Sequence, residues 1–221
     1  MHTEVLIVGG GFGGLTAAKA FRKTSRDFKP DASLQGRTLA DFLKSKSRPQ
    51  TIAEAVDALI ELQTQGGFIG IFHAMDEADV RRIMKHPLAM FDTDGDLVDP
   101  SSGFPHPRSY GAFPRILAKY VREERLLTLE AAVRKMTSMP AQWWGQSDRG
   151  LLRPGMIADV VVFDSLRIQD HSIYTDPNHY STGVVHLLVN GTPVLENGIR
   201  TGKTPGRFLE RSRREFAAQA N

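Results

Sequence analysis

Along the 221 residues, apolar positions fall into two kinds of block: short continuous runs, and stripes spaced i, i+3, i+4. The first run, Val5 to Val8 in "TEVLIVGG", is rich in β-branched residues and stops at paired glycines, which predicts a short strand and a turn. "LTAAKAFRK" after it has helix-forming composition. From Arg37 the stripes take over. "TLADFLKSK" and "TIAEAVDALIELQTQ" read as helices, the second opened by Thr51 as N-cap with Glu54 as its capping-box partner. "FIGIFHAM" suits a buried strand, "DEADVRRIMKH" a short capped helix, and "PLAMFDTDG" a further apolar strand ending in acidic residues and glycine. Helix, strand, helix, strand in that order implies parallel strands joined by crossovers.

"DLVDPSSGFPHPRSYGAFPR" is studded with Pro and Gly and predicts a long loop of the kind kept for function. "AFPRILAKYVREERLLT" and "TLEAAVRKMTSMPAQWWG" are helical, Thr128 and Ala131 flanking an amphipathic pattern in the second. "RGLLRPGMIADVVVFD" and "VVHLLVNGTPVLENG" are β segments joined by a polar connector with Asp176, Pro177 and Asn178, and Asn190-Gly191 makes a hairpin turn.

A hydrophobic content of 41% supports a sizeable core. Lys and Arg exceed Asp and Glu by 28 to 25, and part of the excess lies in "GRFLERSRREF", read as a basic helical tail over 206–221. No aromatic platform is interleaved with those charges, so no nucleic-acid partner is expected. The absence of cysteine excludes disulfides and thiolate metal sites, leaving His, Asp, Glu or Lys for any metal. No apolar stretch approaches the length of a membrane span, and the cytoplasm is the default compartment.

Two resemblances follow. Gly9, Gly11 and Gly14 fit G-x-G-x-x-G directly after a strand, a turn that lets backbone approach a pyrophosphate at a helix N-terminus. This opening resembles the start of type II NADH dehydrogenases, and it implies a lone Rossmann-like βα unit over 1–24 and an FAD- or NAD-binding oxidoreductase fragment. The next stretch, "TSRDFKPDASLQGRTLADF", has no β-branched strand to place Asp27 or Asp31 on a ribose, so FAD is not expected to bind.

"DRGLLRPGMIADVVVFD" resembles the C-terminal β-sandwich signature of the amidohydrolase superfamily. "DEADVRRIMKHP", "DTDGDLVDP", "PHPRSYGAFPRILAKYVREER" and "TLEAAVRKMTS" sharpen the resemblance to its N-acyl-D-amino-acid deacylases, from about Ser25 to about Arg207. The implied fold is α/β: the C-terminal portion of a (β/α)8 amidohydrolase barrel over 25–147 and part of its small β-sandwich over 148–205, after the Rossmann-like unit. The implied activity is zinc-dependent hydrolysis of the amide of a small-molecule N-acyl-D-amino acid, the metal activating a water. Asp94 matches the catalytic acid and metal ligand, Arg108 the guanidinium for the substrate α-carboxylate, and His106 lines the same loop. Read locally, Asp94 simply opens an Asp-Gly turn with Gly95, and Asp92 is an alternative that strand alternation would face to the same side.

The chain departs from the family pattern in its ligands. Its 7 histidines include no His-x-His, and His73 and His86 read as structural residues. Zinc needs three protein ligands, and a whole barrel needs about 250 residues. Little activity is therefore expected from this chain alone, with a separately encoded barrel half as its partner.

Overall fold

The computed structural model describes residues 5–8, 31–72, 75–98 and 105–210. Gly9, Gly11 and Gly14, the junction near Thr24, and His73 lie outside the described residues. The chain divides into two units, one of Met1–Glu77, Asp94–Tyr110 and His171–Tyr180, the other of Ala78–Thr93, Gly111–Asp170 and Ser181–Asn221.

In the first unit, β1 (Val5–Val8) is the middle strand of three, between β2 (Arg37–Thr38) and β3 (Ile69–Phe72). Both pairings are antiparallel, with Val5 opposite Phe72 and Leu6 opposite Thr38. The two apolar runs thus form strands where their composition predicts them. The parallel pair expected of "FIGIFHAM" and "PLAMFDTDG" is not made, because only the first of these two segments is a strand.

Helices α1 (Leu39–Ser45) and α2 (Ile52–Thr64) pack their apolar stripes together, burying Leu39, Phe42 and Leu43 against Ala58 and Leu62. Each fully buried leucine or phenylalanine contributes about 1.5–3 kcal/mol. Thr38 caps α1 in a complete capping box with Asp41. Thr51 caps α2 by accepting the Glu54 amide, but the Glu54 carboxylate does not reach back as the sequence predicts. It is taken by Arg48, whose Nε donates to Glu54 at 2.7 Å while Nη1 donates to Glu61 at 2.8 Å. A guanidinium between two carboxylates outcompetes a neutral backbone amide.

Helix α3 (Glu77–Lys85), which from Ala78 onward belongs to the second unit, buries Met84 and is followed by a stretch without regular structure over 89–98. The strand expected in "PLAMFDTDG" does not form, because its backbone groups are taken elsewhere. The Phe91 amide donates to the Lys135 carbonyl at 3.0 Å, and the buried Lys135 ammonium donates to the carbonyls of His86 at 2.5 Å and Ala89 at 2.9 Å. Without a strand, the alternation that would have aligned Asp92 with Asp94 does not apply.

Helix α4 (Arg108–Arg115) starts inside the expected loop and runs on as a π-helix, Ile116–Glu123, in which Glu124 N–H reaches Lys119 O five residues back. Pro114 lies in this helix, and a residue without an N–H disrupts the ordinary i to i−4 ladder. Arg81 of α3 grips the end of this helix, donating from Nε and Nη2 to both Glu124 oxygens at 2.7 and 2.8 Å. Helix α5 (Leu129–Met136) is capped by Thr128, and α6 (Ser138–Trp144) ends at left-handed Gly145.

The strands β4 (Val160–Phe163), β5 (Val184–Val189), β6 (Thr192–Glu196) and β7 (Ile199–Arg200) form an antiparallel meander in that order. Asn190-Gly191 makes its first turn as predicted, and Asn197-Gly198 repeats the device, both residues of each pair having positive φ. Leu117, Ala132 and Ile168 form the core here, with Phe163 and Val184 packed on them. Residues 206–210 carry no helix, and the rest of the basic tail lies outside the described residues.

Candidate functional site

The chemistry foreseen in the loop collects within the first unit. Asp94 adopts φ 42°, a left-handed conformation that Asp tolerates better than most residues, and Gly95 follows it. Arg108, the first residue of α4, folds onto it. Its Nε donates to the Asp94 carbonyl at 2.7 Å, and its Nη2 lies 2.8 Å from the Asp94 carboxylate. The side chains remain open to solvent, 75% exposed for Asp94 and 41% for Arg108, so both can be reached by a small molecule. A guanidinium has five N–H donors, and this grip uses two of them, leaving donors for another oxyanion.

The start of α4 is organised by His106. Its Nδ1 accepts the Arg108 amide at 3.1 Å, while its carbonyl accepts the Ser109 amide at 3.0 Å. Ser109 Oγ accepts the Asp96 amide at 3.2 Å, a second tie between the helix and the segment that holds Asp94. The imidazole stands edge-on to Tyr174, ring centres 5.1 Å apart. Burial, and then the neighbouring Arg108, push the His106 pKa below its ordinary 6.5, with Asp94 and Asp96 opposing.

Tyr174 belongs to a connector that no motif singled out. Ser172 Oγ donates to the Pro177 carbonyl at 2.6 Å, and Ile173 and Asp176 bridge, so the segment forms a compact turn around buried Pro177. From it Asn178 Oδ1 accepts the Tyr110 hydroxyl at 3.3 Å, and Tyr180 meets the Tyr110 ring at 5.4 Å. Only the Asp-Pro-Asn turn signal was legible, because the partners lie far apart in the chain. His86 Nδ1 accepts the Leu88 amide at 3.3 Å.

Among the described residues, no group of three or more His, Asp or Glu is gathered as a metal ion requires. Asp94 is the one foreseen metal ligand among them, and its carboxylate faces Arg108. The described residues therefore do not by themselves fit a zinc ion. None of the described helices is long and apolar enough to cross a membrane.

Comparison with known proteins finds relatives among the N-acyl-D-amino-acid deacylases. N-acyl-D-glutamate deacylase of Alcaligenes xylosoxydans xylosoxydans is 48% identical over 141 residues, which cover 64% of this chain and 28% of that protein. The solved D-aminoacylase, described with a binuclear metal centre, superposes with a TM-score of 0.74 at 33% identity, over 94% of this chain and 38% of that one. N-acyl-D-glutamate deacylase from Bordetella bronchiseptica, solved with zinc and a phosphonate mimic of the tetrahedral intermediate, gives 0.67 at 35% identity, over 87% and 37%. The α/β fold is thus that of D-aminoacylase structures, and this chain spans well under half the length of these relatives. The sequence model of the amidohydrolase family matches residues 16–195, most of the molecule, and the chain belongs to the amidohydrolase family.

Proposed function

We propose that this chain carries the proton-transfer and carboxylate-binding side of an N-acyl-D-amino-acid deacylase. The observation that carries the reading is the meeting of Asp94 with Arg108, 14 residues apart in the chain, in the unit that also holds His106. Asp94 takes the proton of the attacking water and delivers it to the nitrogen of the leaving amine. Arg108 turns its remaining donors to the substrate α-carboxylate, a bidentate fit that Lys lacks, with His106 in the same loop. The leaving nitrogen is bonded to the α-carbon that bears the carboxylate in such a substrate, so one small molecule spans an acid–base group and a carboxylate anchor that are themselves in contact.

Residues 25–147 correspond in this reading to the late part of the family's (β/α)8 barrel and 148–205 to its small β-sandwich. The zinc that a solved relative holds would take Asp94 as one ligand, with the remaining donors from outside the described residues. This reading requires the rest of the family's barrel to carry those donors.

The test pairs the chain with a barrel portion that bears the histidine ligands of a D-aminoacylase, and assays release of free D-amino acid from N-acetyl-D-amino acids. Zinc-dependent release that is lost on Asp94→Asn is the expected result. Equal release with Asp94→Asn, or full release by the unaccompanied chain, would overturn it.

A further inference from the structure

We propose that His106 is the positioning residue of the Asp94–Arg108 pair, its neutral imidazole accepting the Arg108 amide so that the first turn of α4 aims the guanidinium at Asp94. This deepens the reading of Asp94 and Arg108 as a hydrolytic pair and rests on it for its functional meaning. The geometry itself stands apart from that reading.

Pro107 has no N–H, so the first backbone donor at the start of α4 belongs to Arg108. His106 Nδ1 takes that donor at 3.1 Å, the His106 carbonyl takes the Ser109 amide at 3.0 Å, and the Pro107 carbonyl takes the Tyr110 amide at 3.1 Å. The first donor of the turn is thus assigned to a side chain and the next two to main chain. A nitrogen that accepts a hydrogen bond carries no proton, so the ring proton is on Nε2. Tyr174 holds the ring edge-on at 5.1 Å, which fixes the direction in which Nδ1 points.

Two consecutive residues of this turn then hold the segment opposite. Arg108 grips Asp94 through both its carbonyl and its carboxylate, and Ser109 Oγ accepts the Asp96 amide. A tilt of the turn would move both contacts together. His106 is therefore a positioning residue.

The experiment uses nitrogen-15 NMR on the full chain and on His106→Asn and His106→Ala. In the unmutated chain the ring is expected as the Nε2–H tautomer. His106→Ala is expected to speed exchange of both the Arg108 amide and the Arg108 Nε–H by about tenfold, the scale of a lost helix cap. His106→Asn, whose side-chain oxygen reaches the same amide, restores both to within about threefold. A local cap with no positioning role would change the amide alone and leave the Nε–H as it was. An Nδ1–H tautomer, or unchanged Nε–H exchange in the alanine variant, would overturn the proposal. If that variant does not fold, the tautomer and the asparagine variant still decide. Failure of the hydrolysis assay beside the expected tautomer and exchange pattern would count against the proposed function and not against the positioning role.

Discussion

Arg108 holds Asp94 at two atoms of different kind, the main-chain oxygen at 2.7 Å and the carboxylate at 2.8 Å, while Asp94 keeps a left-handed backbone at φ 42°. The residue is thus constrained in conformation and in side-chain direction by the same guanidinium. Because both side chains are substantially exposed, the ion pair itself is worth at most about 1 kcal/mol. Its consequence is geometric. Asp94→Asn, which tolerates the left-handed conformation and leaves the carbonyl contact in place, should change stability to urea by less than about 1 kcal/mol. Asp94→Val, β-branched at positive φ, should cost about 1–2 kcal/mol more. Equal midpoints for the two variants would show that the turn at Asp94 relaxes freely.

Arg108→Lys keeps the charge and loses the fork. A single ammonium cannot span the Asp94 carbonyl, its carboxylate and an incoming α-carboxylate. In the assembled enzyme, KM for the N-acyl-D-amino acid should rise about tenfold or more, with a smaller change in kcat. Steady-state kinetics that show kcat falling and KM unchanged would assign Arg108 to the reaction step instead of to binding.

The pH dependence follows from His106, which faces Arg108, Asp94, Asp96 and the Tyr174 ring. Burial and Arg108 lower its pKa in the folded chain, so below the ordinary 6.5 the unfolded chain binds the proton more readily. The stability associated with the neutral ring is present above 6.5 and is lost as pH falls through the lowered folded value. Denaturation midpoints measured from neutral to mildly acidic pH should therefore decline more in the unmutated chain than in His106→Asn. Parallel declines would place the acid sensitivity elsewhere.

Lys135 supplies the donors that replace a β ladder at His86 and Ala89. Lys135→Met keeps most of the volume and removes both bonds, leaving two carbonyls without this partner. The expected loss is about 2–4 kcal/mol, read as a lower urea midpoint. A loss below about 1 kcal/mol would mean that water or a shifted backbone takes over both carbonyls.

Gly183 has φ 92°, and a Cβ there would run into the backbone of Ile168, the most buried leucine-like side chain of its core cluster. Neither side of that clash is a flexible side-chain end. Gly183→Ala should cost about 2–4 kcal/mol in thermal or urea unfolding. A variant of unchanged stability would show that the approach of these two backbones is not tight.

Local rules described the local structure well. Thr51 caps the helix foreseen for it, Val160 to Phe163 is a strand, and Asn190-Gly191 turns a hairpin. Each depends on neighbours within a few positions, where side-chain spacing and turn chemistry suffice. The family's motifs likewise pointed to Asp94 and Arg108 before any contact between them was visible.

Long-range competition for backbone partners was not legible in the same way. The apolar run before Asp92 reads as a strand, yet its carbonyls and amide bind Lys135, 44 to 49 positions on. Strand direction in the β1 sheet, the destination of the Glu54 carboxylate, and the arrival of Tyr174 and Asn178 beside the loop have the same origin. A residue's donors and acceptors are written in the chain, but which partner satisfies them depends on what folding brings within about 3 Å.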